Sequence, residues 1–304
     1  MPETKATSSR PLRALKGVRV VSLALNLPGP AALMRCCAMG ATCVKVEPPP
    51  PAGSVAGTTA DPMGVYNRGA YDVMHQGVRV AVADLKTDAG QKVLHRELAK
   101  ADVLLTSFRP SALAKLGLKW SDLHKRHPQL SLVEIVGAPA ARAEEPGHDL
   151  TYMAESGLVT GTELPPTLYA DMGGSLMASE AVLQARLLQL AKGQGVRMEI
   201  ALSEAANYLA LPRTWGLTTP GAAVGGGHAG YRVFACKDGR VALAALESHF
   251  AKALALEAGL AKSNILAMFQ PESHTAIAAW CAKLTRAELE AIGTARDIPL
   301  FTLA

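Results

Sequence analysis

Three short stretches carry side chains able to move protons or attack a carbonyl: Pro146-Gly147-His148-Asp149, Tyr169-Ala170-Asp171-Met172-Gly173-Gly174 and Ala245-Leu246-Glu247. An imidazole titrates near neutrality, so His148 can give or take a proton at physiological pH. Asp171 stands at the start of the longest helical pattern in the chain. There the helix dipole and free backbone N–H groups favour the charged carboxylate and keep it available as a base. Facing each other, His148 and Asp171 would make a two-sided acid/base pair, and two bases facing one carbon can invert its configuration. Each stretch also has a plain structural reading. Asp171 would serve as a helix N-cap, His148-Asp149 would cap the helical pattern over residues 150–156, and the triplet Gly225-Gly226-Gly227 would be a flexible linker.

These residues need a frame, and the first half of the chain supplies one by alternating short β-rich runs with helical patterns. Strands are expected at residues 17–24, 42–47, 78–83, 102–106, 130–136 and 196–202. Helices are expected at residues 31–39, 88–100, 121–127 and 173–192, the first ending at Gly40 and the last at Gly193 and Gly195. Residues 51–77 show no periodicity and read as a long surface excursion. Beyond the glycine triplet, residues 231–235 and 241–246 read as a hairpin turned at Asp238-Gly239. The expected fold class is therefore α/β. A doubly wound parallel-sheet large domain occupies residues 12–220, and a smaller C-terminal α+β domain occupies residues 221–304. The first strand-to-helix turn, Leu25-Asn26-Leu27-Pro28-Gly29-Pro30, is not G-x-G-x-x-G, which argues against a dinucleotide dehydrogenase.

Composition narrows the function classes. No run reaches the ~20 apolar residues a membrane span needs. The opening residues 1–10 are polar and lack a secretory core. A cytoplasmic protein is expected. The five cysteines show no C-x-x-C spacing, which points to reduced thiols and no metal. The net charge of +5 is spread along the chain, without the basic block of a nucleic-acid arm, and suits a small polyanionic ligand.

The Pro28-Gly29-Pro30 turn, Val44-Lys45-Val46-Glu47-Pro48, and the run from Arg79 ending in Ala83-Asp84-Leu85-Lys86 occur in a distinctive order. Ser107-Phe108-Arg109-Pro110, Leu116-Gly117-Leu118, the segment around His148-Asp149 and Asp171-Met172-Gly173-Gly174 follow. Over residues 12–300 this series resembles the class III CoA-transferase family, and within it the chain is similar to the α-methylacyl-CoA racemases. The resemblance implies that His148 and Asp171 are the two bases and that Glu247 supports His148. It also implies coenzyme A as part of the substrate. The implied CoA contacts are Asn26, Leu27, Ala83, Leu85, Lys86 and Tyr152, with Arg79, Arg109 and Lys115 meeting phosphates. In the transferases of the family, the carboxylate aligned with Asp149 is the nucleophile that carries acyl-anhydride and aspartyl-CoA intermediates. The triplet Gly225-Gly226-Gly227 would then close over them.

Some family features are replaced. Pro48-Pro49-Pro50-Pro51 stands where members carry a phosphate-binding Arg, a shorter loop spans residues 137–143, and Thr167 replaces an Asn that bonds the aspartate. The family pairs as interlocked rings, which implies a homodimer. This chain ends at Ala304, before the segment that members send back to the large domain, so the dimer is expected to close differently. Three functions follow: racemisation of a 2-methylacyl-CoA, transfer of CoA between carboxylic acids, and CoA binding without turnover.

Overall fold

The computed structural model describes residues 13–304 except 56, 262, 263 and 265. The polar segment 1–10 and residue 12, the expected start of the large domain, lie outside the described residues. The chain divides into two compact units between Ala210 and Leu211; the boundary expected from sequence stood at 220/221.

The first unit is built on six strands: β1 (Arg19–Ser22), β2 (Thr42–Glu47), β3 (Arg79–Val82), β4 (Val103–Thr106), β5 (Ser131–Val136) and β6 (Arg197–Ala201). All are parallel, in the order β3-β2-β1-β4-β5-β6. Its helices are α1 (Pro28–Ala38), α2 (Pro62–Tyr66), α3 (Arg68–Met74), α4 (Asp88–Leu98), α5 (Pro110–Lys115), α6 (Trp120–Arg126), α7 (Asp149–Glu155), α8 (Tyr169–Lys192) and α9 (Leu202–Leu209). The central strands β4 and β5 are buried along their whole length because helices cover both faces. Successive residues therefore enter different cores. Leu105 and Val133 pack with Leu33 and Val182, whereas Leu104 and Leu132 pack with Leu94 and Leu123. This is the doubly wound sheet that the alternating pattern predicts.

Three local features depart from expectation. Pro28-Gly29-Pro30 is the first turn of α1 rather than a separate turn, since a proline at the first helical position gives up an N–H that would be unpaired anyway. Gly29 is needed there, because a Cβ would lie 2.1 Å from the Ala24 Cβ. The excursion at residues 51–77 holds two short helices. Asp61 starts α2 by accepting the Met63 N–H at 2.9 Å, and Asn67 starts α3 by accepting the Ala70 N–H at 3.0 Å. Finally, α8 begins at Tyr169, so Asp171 lies inside its first turn.

The second unit contains α10 (Leu211–Thr214), β7 (Tyr231–Cys236), β8 (Gly239–Ala244), α11 (Ser248–Glu257), α12 (Pro271–Cys281), α13 (Arg286–Arg296) and β9 (Leu300–Leu303). Its antiparallel sheet has the order β7-β8-β9, with Cys236 paired to Gly239, so the hairpin turns on Lys237-Asp238. The helices cover one face around Val241, Leu243, Leu254, Ile277 and Leu289. Among the described residues, no helix is long and apolar enough to cross a membrane.

Candidate active site

In the first unit, strand order reverses beside β1. The chain leaves β1 toward β2 on one side and later returns through β4 on the other, so the loops after β1 and β4 part and open a crevice at the carboxyl ends of the strands. The β1 loop carries Asn26 in a left-handed conformation, φ 69°, and leads into α1. The β4 loop carries Ser107, Phe108 and Arg109. The N-terminal ends of α7 and α8 deliver the titratable residues to the same crevice.

His148 precedes α7, its backbone fixed by a 3.0 Å bond from its N–H to the Thr151 hydroxyl, and its imidazole is exposed. Asp149, the first residue of α7, is 5% exposed, and its Oδ1 accepts the Asp171 N–H at 3.0 Å. That bond ties the start of α8 to the start of α7. Asp171 is half-buried. Burial, then the neighbouring Asp149 charge, raise its carboxyl pKa to about 6, against the opposing pull of His148. Asp171 therefore holds its proton to a higher pH than an ordinary carboxyl, through desolvation and a like charge.

Two cavities of about 290 Å³ each lie along the crevice. One is walled by Asn26, Pro28, Ser107, His148 and Asp171, the other by Arg109, Ile135, Tyr152 and again His148. A third, of about 700 Å³, is walled by Leu85, Lys86, Lys115 and Phe108, and Phe108 also borders the first. His148 and Asp171, far apart in sequence, thus share one wall; Asp149 lines none of the three. Tyr152 reaches its place because residues 137 and 147 are glycines. A Cβ at either would stand 2.1 or 2.5 Å from its hydroxyl.

Three other contacts expected in the first unit fall elsewhere. Arg79 is paired with Glu97 at 2.6 Å. Ala83 is buried in the core, and Leu27 packs toward Met63 and Tyr71. In the second unit, Glu247 is an exposed residue at the start of α11, without a side-chain capping bond. The glycine triplet is held rather than loose. Cβ atoms at Gly225 and Gly227 would lie 1.9 and 2.1 Å from the carbonyl oxygens of Thr219 and Gly221. Arg232 donates to the Gly226 carbonyl at 3.0 Å, and His274 Nε2 donates to that of Gly227 at 2.9 Å.

A buried polar cluster was not foreseen. Lys45, in the middle of β2, is fully buried and pairs with Asp61, with Glu47 at 2.8 Å and with His75 Nε2 at 3.0 Å. Tyr71 donates to Glu47 at 2.8 Å, Thr59 also donates to Glu47, and Asp61 Oδ1 accepts the Asn26 N–H at 3.0 Å. Glu47, Asp61 and His75 lie close enough together to hold a metal ion, but the Lys45 ammonium stands within hydrogen-bonding distance of all three and supplies the positive charge. The signal was present: a lysine and a glutamate in an internal parallel strand, where apolar residues are the rule.

The model of the family described as CoA-transferase family III matches residues 15–303. The chain belongs to that family. Its relatives span two chemistries within CoA-transferase family III. It is 30% identical over 296 residues to the α-methylacyl-CoA racemase of Mus musculus, covering 90% of this chain and 73% of the mouse protein. It is also 30% identical over 204 residues to the cinnamoyl-CoA:phenyllactate CoA-transferase of Clostridium sporogenes, covering 63% of this chain and 50% of that one. The chain spans about half the length of this and other curated transferases it matches. The crystal structure of the hypothetical protein Rv3272 from Mycobacterium tuberculosis shares the fold, with a TM-score of 0.80 at 22% identity over 97% of this chain and 86% of that one.

Proposed function

We propose that this chain handles acyl-CoA thioesters and racemises a 2-methylacyl-CoA by exchanging its α-proton between His148 and Asp171. The observation that carries this reading is the shared cavity wall: a carboxylate with a pKa raised to about 6 and an exposed imidazole border one space of about 290 Å³. Ionised Asp171 takes the proton α to the thioester carbonyl, and the electron pair moves onto the carbonyl oxygen as an enolate. The imidazolium of His148 returns a proton to the opposite face. The reverse reaction exchanges the two roles. A base whose pKa lies near the working pH transfers protons efficiently in both directions, and the N-terminal end of α8 favours the negative charge of the enolate. The neighbouring cavities on either side of Phe108 suit a long thioester, its acyl end at His148 and Asp171 and its nucleotide end toward Lys86 and Lys115.

Incubation with (S)-2-methylbutanoyl-CoA in deuterated water tests the reading. Deuterium is expected at the α-carbon together with loss of optical purity, and absence of both sinks it. His148→Ala and Asp171→Asn should each slow exchange by about 10²-fold or more.

The cavity-facing carboxylate also supports a second reading, transfer of CoA. It would run through Asp171, because the Asp149 carboxylate is buried and engaged with the Asp171 N–H. Carboxylate attack would expel the CoA thiolate and leave an acyl anhydride on Asp171. Hydroxylamine would trap that intermediate as a hydroxamate, and CoA would appear on a second acid. CoA binding with neither outcome would support a member without turnover. All five cysteines are free thiols, which fits a reducing compartment such as the cytoplasm. The homodimer implied by the family resemblance belongs to the same proposal, and sedimentation equilibrium tests it.

A further inference from the structure

We propose that Tyr66, seated by the Lys45–Asp61 ion pair, is a positioning residue that holds the Asn26 turn in the shape an acyl-CoA meets. The inference rests on the reading that the cavity beside Asp171 takes a CoA thioester.

Asn26 needs holding. Its φ of 69° lies in the left-handed region, which residues with a side chain adopt infrequently, although asparagine tolerates it. Two bonds fix it: its N–H donates to Asp61 Oδ1 at 3.0 Å, and its own Oδ1 accepts the Tyr66 hydroxyl. Both partners belong to one short segment, since Asp61 caps α2 and Tyr66 is its last residue. That segment is fastened to the sheet by Lys45 reaching Asp61 from β2. A continuous line of contacts therefore runs from the core of the sheet through Asp61, α2 and Tyr66 to Asn26, which shares its cavity with His148 and Asp171. The Tyr66 hydroxyl is held above its usual pKa, by burial first and then by the charges of Asp61 and Asp171. Tyr66 itself is 62% exposed, so the fold does not depend on its ring. A surface tyrosine with no task at the site would leave ligand affinity untouched when its hydroxyl is removed.

The test measures binding of (S)-2-methylbutanoyl-CoA by titration calorimetry for wild type, Tyr66→Phe, Asn26→Ala and the double variant. Tyr66→Phe should weaken binding about three- to tenfold, the worth of one hydrogen bond, with an unchanged thermal midpoint. The double variant should bind no more weakly than Asn26→Ala alone, because Tyr66 acts through Asn26. Asp61→Asn should weaken binding and speed amide exchange at Asn26; should it fail to fold, Tyr66→Phe still decides. Wild-type affinity in Tyr66→Phe, or a loss that adds in full to that of Asn26→Ala, overturns the proposal. Deuterium exchange on the same samples separates the two readings. Binding without exchange overturns racemisation and leaves the brace to stand or fall by affinity, and a wild type that does not bind the thioester overturns both.

Discussion

Among single residues, Asp149 and Asp171 divide two tasks that the sequence assigns to adjacent motifs. Asp149 is spent on holding the Asp171 backbone, and its charge keeps the Asp171 proton bound to a higher pH. Exchange should therefore fall on the acid side as Asp171 protonates, with a midpoint near its pKa of about 6. Asp149→Asn, whose amide oxygen can still accept the N–H, should move that midpoint to lower pH. A pH–rate profile checks this, and an unchanged midpoint in Asp149→Asn would overturn it. The raised pKa has a stability consequence of definite sign. The folded state holds the Asp171 proton more tightly than the unfolded chain, so its contribution is fully present below the ordinary carboxylate range and is lost as pH rises through about 6. Asp171→Asn loses nothing on that rise. It should be more stable than wild type at pH 7, by about 1–3 kcal/mol, with the difference vanishing near pH 3.5. Thermal melts at the two pH values check it. Histidine and aspartate as candidate bases were legible because their chemistry belongs to the residue type. The shifted pKa was not, because it arises from burial and from a neighbour 22 positions away in the chain.

Among elements, β2 carries the least expected arrangement. Lys45 is buried within an internal strand and balances Asp61 and Glu47, which come from the excursion and from β2 itself. Removing it leaves two buried carboxylates without their cation. Lys45→Met should cost about 3–5 kcal/mol, measured by urea denaturation, and Lys45→Met with Asp61→Asn should cost less than the sum of the two single changes. In the sequence, residues 51–77 lacked periodicity and read only as an excursion. Two caps, Asp61 and Asn67, make short helices there, too brief to show a repeat. The first strand-to-helix turn was legible as to place. The close approach that requires Gly29, at 2.1 Å from Ala24, depends on how α1 packs on β1.

In the first unit, the parallel order β3-β2-β1-β4-β5-β6 opens a crevice, and Phe108 borders two of the cavities beside it. Lys86→Ala and Lys115→Ala should each weaken CoA binding about three- to fivefold, more at low salt than at high, since exposed charges are screened. Arg79→Ala should matter less, because that guanidinium is engaged by Glu97. Titration calorimetry at two ionic strengths checks all three. By itself, the sequence determined the alternating strand and helix plan, the left-handed glycine that ends α8 and the residue types able to move a proton. These depend on periodicity, on local backbone preference and on side-chain chemistry, which are properties of short segments. The tertiary structure decided which carboxylate faces the cavity, how far its pKa rises, and which lysine sits buried among acids. Each of these depends on desolvation and on contacts between residues distant in the chain, and neither exists until the sheet is assembled.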